Sequence, residues 1–195
     1  MLQTNCYLVS CQYTKKAIII DPGINYQSEV QHIQKYIEQA QLKIQSIVNT
    51  HGHADHVQGD EVFQEKFSVP ILIHKLDAYF LESLRTNKNQ SNLLLEDGAQ
   101  VIFGKENLRV FHTPGHTPGS ICLIGETVMF SGDTLFACSI GRTDFAEGSP
   151  NDMKLSLEKL KSLPDNLLVY PGHGETTLME QEKKSNPFLT GRFRF

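Results

Sequence analysis

Three imidazoles and a carboxylate fall within six residues, His51-Gly52-His53-Ala54-Asp55-His56. Imidazole nitrogens and carboxylate oxygens are the donors that zinc and similar divalent ions take. The four groups crowd too closely for one ion to accept them all. Alternate residues of an extended backbone face opposite sides, so two neighbouring ions sharing the segment is the natural arrangement. Three more candidates lie far along the chain, each after a glycine that itself follows a β-rich run. They are His116 after Phe111-His112-Thr113-Pro114-Gly115, Asp133 after Val128-Met129-Phe130-Ser131-Gly132, and His173 after Val169-Tyr170-Pro171-Gly172. Any one alone reads as a turn residue or a satisfied polar group. Together, the recurrence of strand, glycine and donor points to strand ends that deliver them to one place. The chain holds eight histidines, and the other three, His32, His74 and His112, read as structural or surface residues.

Such a site needs elements whose ends converge. Residues 5–10 and 17–21 alternate as a hairpin turning near Tyr13-Thr14-Lys15-Lys16. Asp21-Pro22-Gly23 stops it, because proline gives a ladder no donor. Val30, Ile33, Ile37 and Ala40 fall at helical spacing and predict a helix over 28–41. A strand over 44–50 then delivers the histidine-rich segment. A helix over 57–67, a short strand over 71–73, a helix over 75–85 and a polar loop over 87–91 follow. The second half predicts strands over 108–112, 120–124, 128–131 and 167–170, a helix over 153–163 and a last helical stretch over 178–184. No internal repeat or low-complexity linker is visible. Interleaved strands and helices imply an α/β protein with helices covering sheet faces, and 1–195 as one domain.

Composition narrows the function classes. Hydrophobic residues are 39% and charged residues 21% of 195, which excludes a disordered, collagenous or coiled-coil chain. Lys plus Arg number 18 against 22 Asp plus Glu, a net charge of −4, so neither a basic footprint for nucleic acid nor a polybasic membrane tag is present. Apolar runs are strand-length, as in Ala17-Ile18-Ile19-Ile20, against the ~20 residues needed to span a bilayer. The start, Met1-Leu2-Gln3-Thr4-Asn5-Cys6, lacks the charged and apolar regions of a signal peptide. Cys6, Cys11, Cys122 and Cys138 show no CxxC spacing and read as small buried hydrophobes in a reducing compartment. The expectation is a cytoplasmic protein without nucleic-acid or membrane partners, of open oligomeric state.

The order His51-x-His53-x-Asp55-His56, His116, Asp133, His173 resembles the metallo-β-lactamase superfamily. So do Ile20-Asp21-Pro22-Gly23, Thr113-Pro114-Gly115-His116-Thr117-Pro118-Gly119-Ser120, Ser131-Gly132-Asp133-Thr134, Gly141-Arg142-Thr143-Asp144 and Pro171-Gly172-His173-Gly174-Glu175-Thr176-Thr177. The chain is most similar to the small glyoxalase II-like hydrolases. The resemblance implies an αββα four-layer sandwich with the site along the upper edge of two facing sheets. It implies two divalent ions, zinc foremost with iron or manganese as alternatives. His51, His53 and His116 would hold the first, Asp55, His56 and His173 the second, and Asp133 would bridge them. A hydroxide between the ions would be the nucleophile, with Asp55 and Asp133 as the catalytic carboxylates. A thioester suits such a site, since its thiolate leaves with little help from an acid. S-D-lactoylglutathione is the example. Asp21 is a candidate acceptor for a ligand imidazole's other N–H; the alternative is a plain turn aspartate.

Departures from the family pattern refine the expectation. Asp133 stands where a β-lactamase would carry cysteine, which argues against that substrate. Nuclease branches usually bring an extra domain and a basic surface. About twenty residues follow His173, so the helical domain that binds glutathione in glyoxalase II is expected to be missing. Lys183, Lys184, Arg192 and Arg194 are either its remnant or a solvated end. Arg142 is either a carboxylate anchor for substrate or an internal partner of Asp144. A strand that the family places before Asn5 is also expected to be missing. The rival enzyme class is the persulfide dioxygenases, which share Gly141-Arg142-Thr143-Asp144-Phe145 and would use one iron on His51, His116 and Asp133. A non-catalytic metal-binding protein is the lesser alternative, and retention of every ligand position speaks against it.

Overall fold

The computed structural model describes residues 3–24, 26–82 and 93–193. The expected loop over 87–91, the end of the helix over 75–85 and Arg194 lie outside the described residues. Strands β1 (Tyr7–Ser10), β2 (Lys16–Ile20), β3 (Lys43–Val48), β4 (Ile71–His74) and β5 (Leu93–Leu95) form one sheet in that order. The first pair is antiparallel and the rest parallel. The second sheet has the order β13 (Thr177–Leu178), β12 (Leu168–Pro171), β9 (Val128–Gly132), β8 (Ile121–Ile124), β7 (Glu106–His112), β6 (Gln100–Phe103). It too is mixed, since β9 and β12 run parallel while its other pairs are antiparallel.

Period-two alternation separates the layers. In β2, Ile18 and Ile20 face the second sheet and pack with Phe103, Val110, Leu123 and Phe130. Ala17 and Ile19 point the other way, onto helix α1 (Gln27–Gln39) and α3 (Asp60–Phe67), where they meet Val30, Ile37 and Phe63. Both faces of this sheet are covered, so its strands read as unbroken apolar runs. The outer face of the second sheet carries Cys122, Met129 and Val169 against Met153, Leu157 and Leu160 of helix α5 (Pro150–Lys161). Ser149 caps α5 by accepting the Asp152 amide, with proline in the first turn. Helix–sheet–sheet–helix layering results, as expected for the fold.

Three local expectations need correction. The helix over 57–67 is two pieces, α2 (Ala54–Val57) and α3, because Gly59 breaks it where its amide donates to Pro22 O at 2.8 Å. A side chain at Gly59 would collide with that carbonyl. The stretch from Lys75 opens as a 3-10 turn, Lys75–Asp77, before the short α4 (Ala78–Glu82). The short strands β5, β6 and β13, and the hairpin β10 (Leu135–Phe136) with β11 (Ser139–Ile140), have no counterpart in the sequence pattern.

His74 and His112 are structural. Their rings stack at 4.1 Å and 13°, and His74 Nδ1 accepts the Leu76 amide at the start of the 3-10 turn. Burial, and then the charge of His112, push the His74 pKa down to about 4. The folded value lies below the ordinary 6.5, so the unfolded chain takes up a proton first. Stability from this group is therefore complete above pH 6.5 and is lost as the pH falls towards 4. His74→Asn keeps an acceptor for Leu76 and removes the titration. Melting curves from pH 7 to pH 4.5 should drop less steeply for the variant.

Candidate metal centre

Strand ends at one edge of the sandwich carry every candidate donor. β2 and β3 run parallel, and Asp21 N donates to Val48 O at 3.1 Å, so Asp21 and the segment from His51 leave side by side. His53 sits in extended backbone at the start of α2, whose single turn carries Asp55 and His56. His116 lies in the loop between β7 and β8. In the facing sheet the parallel pair β9 and β12 brings Gly132 opposite Pro171, and Gly172 N donates to Gly132 O at 2.8 Å. Asp133 and His173 therefore emerge together.

The seven side chains meet in overlapping groups of three: His51, His53, His116; His51, His56, Asp133; and Asp55, His56, His173. Within each group the donor atoms lie within 4.8 Å of one another. Asp133 spans the groups. Its Oδ1 is 3.4 Å from His56 Nε2, and its Oδ2 is 3.4 Å from His116 Nε2 and 3.5 Å from His173 Nε2. Asp55 Oδ2 is 3.3 Å from His173 Nε2.

Outer partners decide which nitrogen of each ring faces inward. His56 Nδ1 pairs with Asp21 Oδ2 at 3.0 Å, His116 Nδ1 donates to Arg142 O at 2.8 Å, and His173 Nδ1 donates to Gln3 O at 2.9 Å. Each leaves Nε2 free to point into the cluster. His53 is reversed: its Nε2 pairs with Glu147 Oε1 at 2.7 Å and its Nδ1 faces His116 Nε2 at 2.9 Å. A carboxylate or carbonyl behind an imidazole fixes its tautomer in this way. Among the described residues four buried side-chain atoms lack a hydrogen-bond partner: Asn49 Oδ1 and Asp60 Oδ1 outside the cluster, and His51 Nε2 and Asp133 Oδ1 within it. Orphaned buried acceptors are costly unless something supplies positive charge. The donor set, its inward nitrogens and its two orphans fit a pair of divalent cations.

Electrostatics agrees. Burial, then the neighbouring imidazoles, hold the His51 pKa well below the ordinary range, so it stays neutral. Burial also lowers His116. His173 is pushed up to about 10 by Asp133 and Asp55, and the hydrogen bond from His173 holds Asp55 low. Burial alone would raise Asp133, but His173, His56 and His116 keep it low. The carboxylates thus concentrate negative charge where a cation would compete with a proton.

Asp21 lies behind His56, its Oδ2 3.0 Å from His56 Nδ1. It is buried at a φ of +48°, and it also accepts Thr50 N at 2.7 Å and Thr50 Oγ1 at 2.6 Å. That left-handed backbone at a non-glycine residue carries strain of about 1–3 kcal/mol, sustained by its hydrogen bonds. Arg142 pairs in bidentate fashion with Asp144, at 2.9 Å twice, and stacks over the Phe145 ring at 4.4 Å. Arg142 thus pairs with Asp144 while also lining the cavity over the metal cluster. Lys183 bonds Leu163 O and Asp165, and Lys184 bonds Glu180; neither lines the cavity over the metal cluster.

That cavity, about 780 Å³, is walled by Phe136, Ile140, Arg142, Phe145 and Glu147, with Asp55, His116, Asp133 and His173 among the donors lining it. Its β10–β11 wall is tied to helix α6 (Met179–Ser185) and the following turn. Asn186 Nδ2 donates to Phe136 O and Ser139 O, and buried Glu182 accepts the Cys138 amide. Glu147 was invisible in the sequence pattern, since 94 residues separate it from His53. Removing it as Glu147→Ala should weaken zinc affinity about 10–100-fold, the usual cost of losing such a partner, as measured by chelator competition.

The family described as the metallo-beta-lactamase superfamily matches residues 1–173. The hydroxyacylglutathione hydrolase GloC of Haemophilus influenzae is 35% identical over 205 residues, covering 97% of this chain and 94% of that one. Among solved structures, TTHA1623 in a di-iron-bound form superposes with a TM-score of 0.83 at 32% identity, over 96% of each chain. The BLEG-1 B3 metallo-beta-lactamase superposes with a TM-score of 0.83 at 34% identity, over 97% of this chain and 96% of that one.

Proposed function

Because the chain belongs to the metallo-beta-lactamase superfamily, we propose that it is a metal-dependent hydrolase of acyl thioesters such as S-D-lactoylglutathione. The observation that carries the proposal is the convergence of seven donors, with the ring nitrogens of His53, His56, His116 and His173 turned inward by outer partners. His51, His53 and His116 would hold one ion, Asp55, His56 and His173 the other, and Asp133 would lie between them. When bound, two such ions lower the pKa of water towards neutrality and polarise a carbonyl. The chain does the rest. Phe136, Ile140 and Phe145 wall a cavity that excludes water from one side of the substrate, and the half-exposed Asp55 carboxylate, kept ionised by its hydrogen bond from His173, lines the same cavity. A thiolate leaving group requires no protein acid, and the described cavity presents none beyond the donors and the paired Glu147.

The 35% identity to GloC, over nearly the whole chain, supports a thioester. Zinc is the proposed metal, with iron next given the di-iron-bound relative. The inward turn of His53, Asp55, His56 and His173 favours two ions over the single iron of a dioxygenase. No helix among the described residues is long and apolar enough to cross a membrane, and the four cysteines are free thiols, which supports placement in a reducing cytoplasm. We propose a small-molecule thioester as the only partner the site requires.

The test combines elemental analysis with two assays. Two ions per chain and hydrolysis of S-D-lactoylglutathione are expected. Stripping with EDTA should lower the rate at least about a hundredfold, with recovery on adding zinc, as the loss of several kcal/mol of electrostatic stabilisation requires. One iron per chain with persulfide-dependent oxygen uptake, or β-lactam hydrolysis without thioester hydrolysis, would overturn the proposal.

A further inference from the structure

We infer that Asp77 is the positioning residue of the His51, His53, His116 group, holding the two loops that carry those imidazoles in one register. Asp77 ends the 3-10 turn after β4 and is fully buried. Its Oδ2 accepts Gly52 N at 2.9 Å and Thr117 Oγ1 at 2.6 Å, and its Oδ1 accepts Gly119 N at 2.6 Å. Gly52 lies between His51 and His53, and Thr117 follows His116. One carboxylate therefore joins loops that are 25 and 40 residues away from it in sequence. Approach is close on both sides. A Cβ at Gly119 would sit 2.5 Å from Asp77 Cγ, and one at Gly52 would strike the Phe80 ring. Neither loop can drift without breaking a buried hydrogen bond to this one carboxyl group.

The other metal group is held differently. Thr4 Oγ1 donates to Asp55 Oδ2 at 3.2 Å, Gln3 O accepts from His173 at 2.9 Å, and Asp21 backs His56. Asp77 touches none of these three ligands. Loss of its carboxylate should therefore weaken one ion selectively. The inference rests on the two-ion reading proposed above.

The test uses Asp77→Asn in the full chain, stripped of metal and titrated with zinc. Long-range 1H–15N spectra of the imidazole nitrogens report each histidine separately. In the wild type all five ligand rings should respond by two equivalents; failure there would refute the two-ion reading itself. In the variant an amide NH2 replaces one acceptor, so a donor faces a donor. His51, His53 and His116 should then need about 10–100-fold more zinc, while His56 and His173 respond as in the wild type. Wild-type affinity at all five rings, whatever happens to the melting temperature, would show a purely structural role and overturn the inference. Equal weakening at all five would overturn it as well. Should Asp77→Asn not fold, Thr117→Val removes one of the three donors and keeps both amide bonds. It should shift the same three rings several-fold, and unchanged titration would count against Asp77.

Discussion

Asp133→Ala should lower kcat/KM on the proposed thioester substrate at least about a thousandfold and reduce bound metal from the proposed two ions to one or none. Both oxygens of this carboxylate face the cluster, one towards His56 and the other towards His116 and His173. Its burial leaves little room for water to replace it. Two dications that share no bridging anion repel, and the charge stabilisation lost amounts to several kcal/mol, each 1.36 kcal/mol being tenfold in rate. Asp133→Asn separates charge from shape. It should retain more fold stability than Ala but nearly the same rate defect. Elemental analysis alongside steady-state kinetics checks both, and an alanine variant within tenfold of wild type would remove Asp133 from the centre.

Gly172→Ala should be almost as damaging, through sterics rather than charge. A Cβ there would overlap Asp133 Oδ1 and lie 2.8 Å from His56 Cε1. The backbone cannot retreat, because Gly172 N donates to Gly132 O at 2.8 Å and Gly172 O accepts Asn5 N at 2.7 Å. The methyl would occupy the space between ligands. A rate loss of about a hundredfold or more is expected, with one ion lost. Overpacking should lower stability by about 1–3 kcal/mol while the circular dichroism stays native. A variant that keeps both ions and full activity would contradict the placement of β12 beside β9.

Legibility in the sequence followed the range of the interactions. The ligands could be read because they lie in short runs with glycine and strand signals beside them, and the family order then arranged them. The layers were readable in part. Ile18 to Ile20 announce a strand covered on both faces, and Val30 to Ile37 a helix stripe. What escaped notice depends on partners distant in the chain. Asp77 looked like an ordinary residue inside a helix, and nothing local marks a carboxylate whose three donors come from loops 25 to 42 residues later or earlier. Glu147 is a loop acid until His53 is folded against it. The three residues of β5 and the two each of β10, β11 and β13 are too short for a period to show. Arg142 shows the opposite limit: both of its readings were chemically sound, and only coordinates reveal Asp144 within reach.

The tie between the start of the described chain and the last donor has a kinetic meaning. Asn5 bonds Gly172, Pro171 and Gly174, and Tyr7 OH bonds Pro171 O, across separations of 164 to 169 residues. Contacts of that span close very long loops and form late, because their entropy must be met before any local gain accrues. During synthesis the segment that embraces His173 leaves the ribosome well before the donor it will hold. The nascent chain can display His51 to His56 well before it can offer Asp133 and His173. The full donor set of the Asp55, His56, His173 group is therefore assembled only once these long-range contacts close.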